Sequence, residues 1–220
     1  MTSETLLNAI ALAFPLGGVS ELTRKIAGAY TLSFDSIKDD PGISQKDIKA
    51  LVGHIRRARI NKIFIEFAQQ HFHQVSCNEK MEGEEGFNNH VELRVGKFLL
   101  THHHQTSSQK MPKDFINLPA LYNQVNASLN DDYFERPWFS VQEKQIGKPI
   151  LNLLLLHETS PEGINQLGNI EFVLPKNSKK LITLSASTVA QKQSEIMDLD
   201  EEDLLDFRLR IEREIDSMIA

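Results

Sequence analysis

From Ile150 to Glu158 the chain reads Ile-Leu-Asn-Leu-Leu-Leu-Leu-His-Glu, the longest nearly unbroken apolar run in the sequence. Gly147 and Pro149 stop it on one side, and Ser160-Pro161-Glu162-Gly163 stops it on the other. A run this short, bounded by turn residues at both ends, predicts a strand buried on both faces. The rest of the fold should be laid against it.

Before the run the apolar period is helical. Leu6 to Phe14 forms a first helix, which Gly17-Gly18 break, and Ser20 opens a second through about Ala29. No Lys or Arg precedes the first helix, so it does not read as a secretion signal. Asp39-Asp40-Pro41-Gly42 marks a turn, and Ser44 with Asp47 is a capping pair for a long third helix. In that helix Ile48, Leu51, Val52, Ile55, Ile63 and Phe67 make an apolar stripe that should lie on a sheet.

After an acidic, glycine-containing loop over 78–89 the period changes to two. His90 to Val95 alternates, Gly96 turns the chain, and Lys97 to His104 returns beside it. A helix over 119–129 and strands over 138–144, 168–174 and 180–185 complete the expected set. Helices first and strands later predict an α+β fold: an N-terminal helical layer on a mainly antiparallel sheet. The domain spans 1–185, helical over 1–75 and mostly strands over 90–185.

A polar stretch over 186–197 reads as a linker, and 198–220 as an acidic amphipathic helix. From Asp198 onward nine acidic residues face three arginines, so the whole net charge of −6 resides there and the remaining chain is neutral. Leu204, Phe207, Ile211, Ile215 and Met218 line one face. Five such side chains are worth several kcal/mol at about 25 cal/mol per Å² of apolar surface, too much to leave in water. The stripe packs on its own body, pairs with a second copy, or fills a partner's groove.

Three other patterns bear on chemistry. His102 and His104 share a strand face and, with a turn at Val95-Gly96, His90 falls opposite Thr101. With Glu92 these imidazoles could hold Zn²⁺ or another nitrogen-preferring ion, although adjacent histidines lack the spacing of a known zinc motif and exposed histidines at a strand end account for them more simply. Glu92-Leu93-Arg94 and Glu158 are strand carboxylates of the kind a metal-dependent nuclease uses, yet the lysine such a site needs is missing at Glu92. Finally, the long helix carries Lys46, Lys49, Arg56, Arg57, Arg59 and Lys62 against Asp47 alone between Ser44 and Ile65. That face could meet phosphates, or an acidic partner such as the chain's own terminal segment.

The sequence carries no phosphate-cradling glycine loop, nucleophile elbow or cofactor motif. Cys77 is the only cysteine, which excludes an intrachain disulfide and points to the cytoplasm. No apolar stretch has the roughly 20 residues a membrane-spanning helix needs. The expectation is a cytoplasmic interaction or regulatory protein in a homo-oligomer or two-protein assembly, without cofactor. The alternative is a nucleic-acid-binding protein or metal-dependent nuclease, such as a bacterial defence or toxin component.

Overall fold

The computed structural model describes residues 2–71, 78–81, 89–105, 151–176 and 179–219, with side chains undescribed at 78–81, 89, 90, 92, 176, 179, 218 and 219. The expected helix over 119–129, the strand over 138–144 and Cys77 lie outside the described residues. Three helices come first: α1 (Ser3–Ala13), α2 (Gly18–Asp35) and α3 (Gln45–His71). Six strands follow: β1 (Asn78–Met81), β2 (Asn89–Val95), β3 (Phe98–Gln105), β4 (Leu151–Ser160), β5 (Gly163–Lys176) and β6 (Lys179–Ser185). Two helices close the chain, α4 (Ala186–Met197) and α5 (Glu201–Ile219). This is the α+β architecture expected, and no single described helix is long and apolar enough to cross a membrane.

The strands lie side by side in chain order, and every neighbouring pair is antiparallel except β3 with β4. The apolar run is β4, an interior strand whose residues from Leu151 to His157 are all buried. One sheet face, from Phe98, Leu100, Leu153, Leu155, Phe172 and Leu174, joins the helices in the main core. Leu154, Leu156 and Val173 form a separate buried cluster on the other face. Alternation along each strand produces this division, because successive side chains leave a strand in opposite directions.

Local chemistry sets the helix ends. Thr2 Oγ1 accepts the Thr5 amide at 3.1 Å and opens α1; Gly17, at φ +73°, lets the chain re-enter a helix after Pro15. Ser44 caps α3 as expected: its Oγ accepts the Asp47 amide while its hydroxyl donates to the Asp47 carboxylate. Helix α2 runs past Ala29 to Asp35, since Tyr30 and Ser33 extend its buried stripe. The β2–β3 turn falls on Gly96-Lys97, with Gly96 at φ +56°. Leu93 therefore pairs with Leu100, a register two residues from the one expected. Likewise β1 occupies the start of the stretch expected as loop, and β5 begins five residues early, directly after the turn at Pro161-Glu162.

The largest correction concerns 186–197. It is a helix and not a linker. Ser185 Oγ accepts the Thr188 amide at its start, and Ala186, Val189, Gln193 and Ile196 form a buried face. Gln193 is 1% exposed and stitches two other helices together. Its Nε2 shares its two hydrogens among the carbonyls of Ala11 and Phe14, which the end of α1 leaves without helical partners, and of Pro15, which also accepts the Gly18 amide. Its Oε1 accepts the Val19 amide in the first turn of α2. A polar residue read as linker is thus a cap made at long range.

Candidate functional site

The apolar stripes of α2, α3, β3 and β4 are each interrupted by polar residues, and the fold brings those interruptions together. Tyr30 follows Leu22 and Ile26 on α2; Arg56 lies between Val52 and Ile60 on α3, with Asn61 beside it. On the sheet, His102 continues the face of Phe98 and Leu100, and His157 that of Leu153 and Leu155. Tyr30, Arg56, His102 and His157 are exposed by no more than 6%.

Hydrogen bonding among them fixes a direction. Asn61 Oδ1 can only accept, so at 2.6 Å the His102 Nε2 carries a proton. Neutral His102 then has a bare Nδ1, which faces His157 Nε2 at 3.4 Å and takes that nitrogen's N–H. His157 Nδ1 is left to accept the Tyr30 hydroxyl at 2.8 Å. The row runs Tyr30 to His157 to His102 to Asn61, every donor meeting an acceptor with both rings neutral. Burial and the neighbouring His102, His104 and Arg56 hold His157 well below the usual histidine range.

A second branch reaches the surface. Arg56 lays its guanidinium 3.8 Å above the Tyr30 ring and donates to Thr159 Oγ1 at 3.0 Å and to the Ile164 carbonyl at 2.8 Å. Thr159 lies 3.0 Å from His104 Nε2, so its hydroxyl accepts from Arg56 and donates to a neutral His104. Burial and the Arg56 charge push the His104 pKa down. Burial raises the Tyr30 pKa to about 12 despite the guanidinium beside it. Among the described residues Arg56 forms no ion pair; its charge rests on neutral acceptors and an aromatic face.

The arrangement positions two helices on two strands through directional bonds. Burying these groups is costly unless they are paired. The members of the row are, while the buried Nε of Arg56 has no acceptor among the described residues, so the row's own bonds favour one register of α2 and α3 over the sheet. It holds Tyr30 fully inside, away from any solvent-borne reactant.

For the metal candidates, His102 and His104 do share the helix-facing side of β3, while adjacent His103 lies on the other face. His90 and Glu92 lie on β2 with side chains outside the description. Among the described residues no group of three or more His, Cys, Asp or Glu side chains is disposed to hold an ion. Of the basic candidates, Arg56 is removed from the outer face altogether, Arg57 and Arg59 are half-buried, and Lys49 and Lys62 are exposed. Lys62 pairs with Glu66 at 3.6 Å.

For the terminal helix, Ile211 and Ile215 are 3% and 4% exposed and join the main core against α1, with Leu204 and Phe207 half-buried at its margin. Thr5 donates to Glu214 at 3.1 Å, and Lys97 pairs with Asp216. The Met218 side chain is outside the description. Helix α5 therefore docks its expected apolar face on its own body, most deeply at Ile211 and Ile215. Its other face leaves Leu205 58% and Leu209 41% exposed, and Asp200 caps the helix in place of the expected Asp198.

Sequence reasoning missed Tyr30, Asn61, Thr159 and the inward role of Arg56. The signal was a polar residue standing in step within an apolar stripe, clearest at Val52-Arg56-Ile60. Comparison of the chain with protein-family models, curated proteins and solved structures finds no match.

Proposed function

We propose that the chain is a cytoplasmic interaction protein working within a homo-oligomer or two-protein assembly, with residues 197–209 as its contact surface. One observation carries the reading. Among the described residues eight large hydrophobic side chains are exposed, and Met197, Leu199, Leu205 and Leu209 are four of them. Half the exposed apolar side chains thus crowd into one short stretch, beside half-buried Leu204 and Phe207. A local concentration of this kind marks a surface that meets another molecule, whereas scattered exposed leucines need no explanation. The cytoplasmic setting rests on the single cysteine. The nucleic-acid alternative is weakened by the burial of Arg56, which takes one of its six cations out of reach.

The test is the size of the assembly in the protein's own cells. Wild type and a Leu205→Glu, Leu209→Glu variant, each at native expression level, are released gently and weighed by native mass spectrometry. Wild type is expected in a complex heavier than the 25.0 kDa chain, and the variant as the free chain. A wild-type free chain, or a complex that survives both substitutions, refutes the reading.

A further inference from the structure

Resting on that contact surface, we infer that its partner is a second copy of this chain, whose helix α3 receives the 198–209 segment. Asp198, Asp200, Glu201, Glu202, Asp203 and Asp206 are all exposed, and no basic residue interrupts them. Helix α3 is the complementary surface. Lys46 and Lys49 are exposed there, and Asp47, the only acid on α3 before Glu66, is tied to Ser44 in the cap.

Shape agrees with charge. Between these lysines and Arg57, Ala50 and Gly53 are exposed beside exposed Leu51 and His54, and a side-chain carbon built on Gly53 meets nothing within 4 Å. Small residues let a second helix approach closely and seat large side chains between them. Leu205 and Leu209, one turn apart, are side chains of that kind, and Glu202 and Asp206 flank them on the same helical face. Leu51, 38% exposed on α3, adds apolar area beside the strip.

The two surfaces do not satisfy each other within one chain. Among the described residues no ion pair joins 198–206 to α3, and both surfaces stand exposed. Between two copies the contact occurs twice about a two-fold axis, α5 of each on α3 of the other. The doubling lets a short helix segment approach the roughly 1,200 Å² of a specific interface.

The experiment is sedimentation velocity on the purified full-length chain over a range of concentrations, at about 50 and about 500 mM NaCl. A dimer is expected, weaker at high salt. Leu205→Glu with Leu209→Glu, and separately Lys46→Glu with Lys49→Glu, should each weaken it by roughly tenfold or more. Mixing the Lys46→Glu, Lys49→Glu variant with a Glu202→Lys, Asp206→Lys variant should restore a dimer that neither forms well alone. A wild-type monomer, or a dimer indifferent to the lysine reversals, overturns the inference. If the purified chain is a monomer but the complex from native cells still depends on Leu205 and Leu209, the partner is another protein and only the second-copy assignment falls. If that complex also ignores them, both readings fall. Nucleic acid that co-purifies with wild type and is shed by the lysine reversals would assign the α3 strip to a polyanion and likewise overturn the pairing.

Discussion

Lowering pH should destabilise this protein through His157, by an amount that follows from its burial. His157 is 2% exposed, accepts the Tyr30 hydroxyl on Nδ1 and donates from Nε2 to His102, so it has no place for a second proton. Its pKa is held well below the usual range by burial first and by neighbouring His102, His104 and Arg56 next. In the unfolded chain the same side chain titrates near 6.5. The sign follows from proton uptake. Below pH 6.5 the unfolded chain binds a proton that the folded chain refuses, so stability falls as pH falls, until the folded-state pKa is reached. For a site that stays neutral when folded, the loss between about pH 7.5 and about pH 5 is about 2 kcal/mol. That corresponds to a Tm drop of roughly 4 to 8 °C for a chain of this size. His104 shifts in the same direction and adds to the loss. Carboxylates titrate as well, so the assay compares urea unfolding of wild type and His157→Gln across this window. The variant should be less stable at neutral pH, by about 1–3 kcal/mol for the disturbed buried bonds, yet lose less on acidification. Parallel pH profiles for the two proteins would refute the argument. So would a wild type that gains stability as pH falls.

Other substitutions probe the packing. Gln193→Ala removes the group that serves α1 carbonyls and the Val19 amide together, and should cost about 2–3 kcal/mol in urea unfolding. Loss below half a kcal/mol would mean that water replaces it freely. Gly96→Ala places a side chain at φ +56° and 3.2 Å from Ala13 Cβ, and should cost about 1–2 kcal/mol by the same measurement. Measured at a concentration where the chain is monomeric, Ile211→Ala should destabilise the fold by about 2–5 kcal/mol as a cavity in the core, whereas Leu205→Ser should change thermal stability little. Equal effects at the two positions would contradict the division of α5 into a docked and an exposed face.

Much of the architecture was legible because periodicity is a local property. The interior strand β4, the helix-then-strand order, the Ser44–Asp47 cap and the hairpin at Gly96 all follow from neighbouring residues whose spacing declares the face they bury. The stretch over 186–197 was misread because its buried spacing of Ala186, Val189, Gln193 and Ile196 includes a glutamine. A polar residue counts against burial until its partners are known, and those partners lie near residue 15, far away in sequence. The same blindness hid the histidine row. His102 was legible as one of a face pair, but Asn61, Tyr30 and His157 come from three other elements. Arg56, counted as part of a solvated basic face, lies inside on Tyr30.

By itself the sequence determined the fold class, the central strand, the start of the long helix and the concentration of all net charge in the last segment. Each of these depends on residue type and short-range spacing alone. Only the tertiary structure decided which polar residues are interior, because burial of a hydrogen-bonding group is permitted by partners that chain folding must first bring near. It likewise decided that Ile211 and Ile215 are covered by the chain's own body while Leu205 and Leu209 are not. An amphipathic stripe states that a face must be covered; what covers it is a property of the surface opposite.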